Sequence, residues 1–293
     1  MNKIQGIIPA VITPFTGDGA VNYDEFSKLL RFLLQSGVHG AFISGNAGEF
    51  YALSLDEKIR LIKAARNTLN GAIPIIFGSG CVTTAETVAA TKAAEAEGAD
   101  VITVITPYLV KPSEDELFAH FEAVCKSTKL PVFLYNNPGV TGVPIPVRVM
   151  QRLMQFDNLA GIKDSSGDFA LTLDFMQTAG EKLSVYAGRD GLILSTLIHG
   201  GAGAVSSVAS ACPELAVAIY NEYKEGRLQN AVEAQLKLAR VRKYFDLGTF
   251  PSVVKEVLTI RGFGTGIPRL PVKPLSQENK TVLRNLLAEL KLI

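Results

Sequence analysis

The chain has 293 residues, 47% of them hydrophobic and 19% charged, with a net charge of +1. That balance suits a soluble protein with a large core and excludes a disordered or collagen-like chain. It also leaves no basic field to recruit nucleic acid or an anionic membrane. The charge is uneven: residues 223–293 carry 13 Lys/Arg and 6 Asp/Glu, while residues 1–222 carry 16 and 22. A solvated helical appendage is the plain meaning, with electrostatic docking onto the more acidic main body as a second option.

From the amino end, residues 1–6 lead into a short apolar segment broken by Pro9 and Pro14, which reads as neither signal peptide nor membrane span. Short β-branched runs then recur at 7–12, 40–44, 73–77, 100–105, 131–135, 159–163, 184–187 and 203–207. Helical patterns fill the intervals. Ser54, Thr83 and Ser113 each stand three residues ahead of a glutamate, the spacing of a capping box. Asn22 or Asp24 opens the first helix, and Gly37, Gly71, Gly98 and Gly180 stand where helices should stop.

Eight strand–helix units in series predict a parallel sheet, closed as a (β/α)8 TIM barrel or open and doubly wound. The expected organisation is a catalytic barrel over residues 1–222 with a C-terminal helical extension over residues 223–293. Helices are expected at 221–244, 250–260 and 276–292. Gly262, Gly264 and Gly266 link two of them as turn glycines; no strand precedes them, so they are not a dinucleotide fingerprint. Cys81, Cys125 and Cys212 lack metal-type spacing and cannot form an even disulfide set, which predicts a reducing, cytoplasmic setting. His39, His120 and His199 fall in helix-like segments, so no metal centre is expected.

In such barrels, ligands bind at the carboxyl ends of the strands. Lys163 ends the sixth run as a lone cation after Leu159-Ala160-Gly161-Ile162. A lysine among apolar neighbours is costly to keep charged, and its neutral amine is a nucleophile toward carbonyls. The alternative is an edge lysine whose amine reaches the rim. Gly45-Asn46-Ala47-Gly48 after the second run is either an amide cradle for a carboxylate or phosphate, or a tight turn. Tyr135 closes the fifth run in phase with Phe133; it is a proton carrier if it faces inward, or core packing. Gly188-Arg189-Asp190 and Val205-Ser206-Ser207 occupy the ends of the last two runs, where a polar or anionic substrate tail is recognised.

Together, Gly45-Asn46-Ala47-Gly48-Glu49, Tyr135-Asn136-Asn137-Pro138 and Ile162-Lys163-Asp164 resemble the dihydrodipicolinate synthase / N-acetylneuraminate lyase family of class I aldolases. The resemblance implies that Lys163 forms an imine with pyruvate or a related 2-keto acid, with no metal or organic cofactor. It makes Tyr135 the proton donor and acceptor, gives the keto acid's carboxylate to the amides of Asn46 and Ala47, and sets Val205 beside the bound pyruvate. Ser165, Asp190 and Ser207 match positions where sugar-acid lyases hold hydroxyls. A homotetramer and an aldehyde as second substrate are further expectations.

Three departures shape the expected reaction. Asn46 and Ala47 replace two threonines of the synthases, Leu109 replaces an aromatic, and Val140 stands where synthases place an arginine. These favour a lyase acting on 2-keto-3-deoxy sugar acids. Gly191 stands where sialic acid lyases place a glutamate, which counts against sialic acid. The alternatives are 4-hydroxy-tetrahydrodipicolinate synthase, a keto-deoxy-sugar-acid dehydratase using the same imine, and a non-catalytic keto-acid-binding barrel. Arg189 is unexpected at its position and suits a second acidic group on the substrate.

Overall fold

In the computed structural model, which describes residues 4–293, eight parallel strands form one sheet: β1 (Gly6–Pro9), β2 (Ala41–Ile43), β3 (Ile75–Gly78), β4 (Val101–Ile105), β5 (Val132–Asn136), β6 (Leu159–Asp164), β7 (Ser184–Ala187) and β8 (Gly203–Ser206). Each pairs with its sequence neighbour from β2 to β8, and β8 returns to β1. The last seam closes through a parallel bridge between Ala10 and Phe42, with Val11 N–H donating to the Phe42 carbonyl at 2.9 Å. The protein is a (β/α)8 TIM barrel with C-terminal helices. Pro9 cannot donate to a ladder, so the regular part of β1 is shorter than the 7–12 run predicts.

Around the barrel run α1 (Tyr23–Gln35), α2 (Leu55–Leu69), α3 (Thr84–Ala96), α4 (Glu114–Ser127), the single turn α5 (Pro138–Thr141), α6 (Val147–Leu153), α7 (Phe169–Ala179), α8 (Ile193–Ile198) and α9 (Pro213–Lys224). Three more helices follow: α10 (Leu228–Lys243), α11 (Ser252–Ile260) and α12 (Gln277–Glu289). Ser54 and Ser113 form complete capping boxes with Glu57 and Glu116; Thr83 caps α3 through its hydroxyl. Asn22, not Asp24, caps α1. The helix expected over 221–244 is two helices, because Gly226 at φ +76° turns the chain between α9 and α10. Residue 222, where barrel and extension are expected to divide, lies inside α9. One buried cluster runs from β1 and β2 through α1 and α9 into α10 and α11. No helix among the described residues is long and apolar enough to cross a membrane.

The extension is fastened by Arg269, after α11. Its Nη1 donates to the Ala52 carbonyl at 2.6 Å, its Nη2 to the Gly19 carbonyl at 2.8 Å, and both face the Glu57 carboxylate; its plane lies 4.5 Å from the Phe15 ring centroid. The hydrogen bond from Arg269 holds the Glu57 carboxyl far below its ordinary 4.5, at about 2. A depressed carboxyl stabilises the fold fully above the unfolded value and ceases to do so as pH falls through the folded one. The urea midpoint should therefore drop between about pH 4.5 and 2, and Arg269→Met should remove that part of the slope; an unchanged slope would refute the assignment.

Candidate active site

A bulge sets the chemistry. Val132 of β5 pairs with Leu159 of β6, but Phe133 pairs with Gly161, so Ala160 has no partner and the register advances by one. Tyr135 then stands opposite Lys163. Leu159 and Ile162, only three residues apart, both pack with Val132 and Leu134, whereas Phe133 and Tyr135 belong to the other cluster, with Phe42 and Tyr186. Had Ala160 paired with Phe133 in a regular ladder, Tyr135 would face Ile162 and the lysine would point into the helices.

Inside the barrel, Lys163 is 5% exposed, with its Nζ 3.9 Å from the Tyr135 ring centroid and 5.0 Å from that of Phe42. The lysine is therefore buried inside the barrel and not exposed at an edge. Tyr135 is also buried, and its hydroxyl accepts from Asn137 Nδ2 at 3.0 Å. Asp164 points the other way. Its carboxylate takes four donors: Asn136 Nδ2 at 2.8 Å, the Ser166 amide at 3.0 Å, and the hydroxyls of Ser166 and Thr172 at 2.9 and 2.6 Å. These bonds anchor the strand end from which the lysine projects.

Beyond β2, Ser44 and Glu49 both adopt left-handed backbone, at φ +59° and +55°. Such strain clusters at functional sites and persists only where its surroundings over-determine it. Between them, Gly48 N–H and Phe50 N–H donate back to the Gly45 carbonyl, and Glu49 N–H to that of Asn46. The amides of Asn46 and Ala47 donate to nothing among the described residues. A Cβ on Gly45 would lie 2.4 Å from the Phe42 ring, and one on Gly48 2.9 Å from the Val11 carbonyl. The two glycines shape the turn; Asn46 and Ala47 line the cavity.

That cavity, about 340 Å³, opens at the carboxyl ends of the strands. Lys163, Tyr135, Asn46, Ala47, Ser165, Gly188, Arg189, Asp190, Val205 and Ser207 all border it. Their availability differs. Ser165 Oγ is buried without a hydrogen-bond partner, so it is free for a ligand. Asp190 is engaged instead: its carboxylate accepts from the Ser206 and Ser207 hydroxyls and the Val208 amide, and Arg242 lies 3.8 Å away. Asp190 and Ser207 therefore satisfy one another rather than standing free for substrate hydroxyls. Arg189 donates through Nε to the Ser165 carbonyl at 2.8 Å, and its two terminal nitrogens donate to nothing among the described residues.

Several lining residues carry no strand-end signal. Asn137 lies inside the Tyr-Asn-Asn-Pro motif, while Arg242, Phe245, Asp246 and Phe250 come from the extension and reach the cavity only by folding back over it. Arg242 stacks 5.0 Å from the Phe245 ring centroid. No cluster of three or more His, Cys, Asp or Glu side chains suited to a metal occurs among the described residues.

Residues 3–290 match the dihydrodipicolinate synthetase family. The chain belongs to that family. Among curated relatives, it is 33% identical to 4-hydroxy-tetrahydrodipicolinate synthase of Bacillus velezensis, over 98% of this chain and 100% of the relative. The Bacillus subtilis enzyme of the same name is 34% identical over 96% of this chain and 97% of its own. The prophage protein YagE of Escherichia coli K12, solved in complex with pyruvate, is 32% identical, covers 99% of both chains and superposes with a TM-score of 0.95. Family membership makes the protein a carbon–carbon lyase or synthase of the class I aldolase type.

Gly188 tests the packing beneath this site. A Cβ there would stand 1.9 Å from Ser165 Oγ and 2.7 Å from the Asp164 carbonyl. Gly188→Ala should lower stability by about 2 kcal/mol in urea unfolding, the usual cost of overpacking; a neutral effect would show that the Ser165 hydroxyl moves freely.

Proposed function

We propose that the protein binds pyruvate as an imine on Lys163 and condenses it with an acidic aldehyde in the cytoplasm. One observation carries this reading: a buried amine packed against a phenol, at the mouth where two amides lack partners. The Lys163 amine adds to the C2 keto group and water leaves, giving the protonated imine. Loss of a C3 proton forms the enamine. Its C3 attacks the aldehyde carbon, the new alkoxide takes up a proton, and water releases the product. Tyr135 carries these protons in this reading, which its hydroxyl's bond from Asn137 and its packing against Lys163 support. The amides of Asn46 and Ala47 hold the keto acid's carboxylate, and Val205 borders the bound pyruvate.

The curated relatives carry the synthase name, so the synthase alternative displaces the sugar-acid lyase as the first reading. Val140 occupies the position of the synthase arginine, and the guanidinium of Arg189, whose Nη2 lies beside the neighbouring Gly139, supplies the cation for the aldehyde's acidic group from the end of β7. Aldol cleavage of a 2-keto-3-deoxy sugar acid stays as second reading because Ser165 Oγ stands free to meet a hydroxyl. The homotetramer belongs to the same proposal; sedimentation equilibrium should give four times the 31.4 kDa chain mass.

Borohydride reduction with pyruvate, followed by peptide mass mapping, should place a reduced pyruvate on Lys163. No adduct on folded protein would overturn the imine. Lys163→Ala should abolish turnover, and Tyr135→Phe should lower kcat by about 10²–10⁴-fold while still trapping pyruvate. Turnover of aspartate semialdehyde would support the synthase, cleavage of a 2-keto-3-deoxy sugar acid the lyase. Trapping without turnover of either would leave the binding barrel.

A further inference from the structure

Glu49 and Lys255 form a charged pair inside the protein that the chemistry above does not use. Glu49 is 0% exposed and Lys255 1% exposed, with Nζ 2.7 Å from Oε1. The other carboxylate oxygen accepts from the Arg269 amide at 2.9 Å. Lys255 Nζ also donates to the Ile267 carbonyl at 3.3 Å and lies 4.0 Å from the Phe15 ring centroid. Every one of these partners belongs to the extension or the loop after β1, whereas the Glu49 backbone closes the turn that presents the Asn46 and Ala47 amides.

We infer that the Glu49–Lys255 pair is a positioning device: it clamps the turn after β2 from behind so that the amides of Asn46 and Ala47 stay aimed at a bound carboxylate. This rests on the reading that those amides hold pyruvate. The physical case is the left-handed backbone at Glu49. A non-glycine residue adopts it at a cost, and something must hold it there. The backbone bond to Asn46 spans the turn itself; the side chain alone ties it to α11 and to the segment carrying Arg269. Without that tie, the turn relaxes and the two amides lose their common target. The lysine's contribution is electrostatic, since its stem and the Phe15 ring would fill the same space with no charge.

Single substitutions confuse this role with stability, because each strands one charge in the core. The Glu49→Gln, Lys255→Met double variant removes both charges at nearly constant volume and should regain much of the stability that either single variant loses. Its half-saturation for borohydride-trapped pyruvate should rise at least about tenfold, the effect of slightly misplaced binding groups, while the trapped amount at saturation stays near one per chain. A folded double variant with wild-type half-saturation would overturn the inference.

A second readout needs no variant. Burial draws the Lys255 ammonium down to about 8, against the pull of Glu49. The charged or titratable groups facing the pair are Arg269, with Glu57 behind it, and Tyr51, whose phenol burial pushes up to about 12; Glu256, the next residue on α11, is paired with Lys280 of α12. Lys255 is the group of this cluster drawn to about 8. Pyruvate half-saturation of the wild type should climb as pH rises through about 8, and this component should vanish in the double variant. Equal slopes in the two proteins would sink the proposal. No adduct in the wild type at any pH would remove the pyruvate reading itself, and this one with it.

Discussion

The extra residue in β6 decides which side of the barrel wall the lysine belongs to. In a parallel ladder, a one-residue slip exchanges inside for outside along the rest of the strand. Ala160 makes that slip, and the inward placing of Lys163 follows from it. Gly161 makes room: a Cβ there would lie 2.7 Å from the Ser184 carbonyl and 3.2 Å from the Phe133 ring. The bulge thus converts a strand that reads as apolar throughout into one with Ile162 outside and Lys163 inside. Asp164 then locks the strand end with four hydrogen bonds before the chain leaves the sheet.

Much of this architecture is written in local signals. The strand–helix alternation, the serine caps and the terminal glycines each act over a few residues, so the barrel and most of its elements follow from the sequence. Pyrrolidine and glycine account for the misplaced ends, at Pro9 and at Gly226. The bulge leaves no such mark, because Ala160 and Gly161 are unremarkable in an apolar run and their role depends on what β5 presents opposite. Strand-end placement did bring Lys163, Tyr135, Ser165 and Arg189 to one cavity. It could not reveal that Asp190 is saturated by Ser206, Ser207 and Val208, since those partners arrive from the next strand.

The turn after β2 shows how strain and burial support one another. Two left-handed non-glycine residues within six positions are unfavourable by about 1–3 kcal/mol each, and a buried carboxylate adds a desolvation cost. Neither feature is stable by itself. The carboxylate is acceptable because Lys255 and the Arg269 amide meet it, and the backbone strain is acceptable because the anchored carboxylate leaves it no way to relax. Between these two strained residues lie Asn46 and Ala47, whose amides donate to nothing among the described residues.

The extension therefore contributes twice to the barrel mouth. Through Lys255 and Arg269 it grips the turn from behind, and through Arg242, Phe245 and Phe250 it forms the far wall of the cavity. A wall of this kind is positioned by helix packing: α10 lies against α9, and Gln235 Nε2 donates to the Asp190 carbonyl at 3.0 Å, linking that helix to the end of β7. Lys163 and Tyr135 stand on barrel strands and Arg189 follows β7, while Arg242, Phe245 and Phe250 reach the same cavity from outside the barrel. Lys163 and Tyr135 sit on strands whose register the bulge fixes, whereas the outer wall of the cavity depends on the extension staying docked against them.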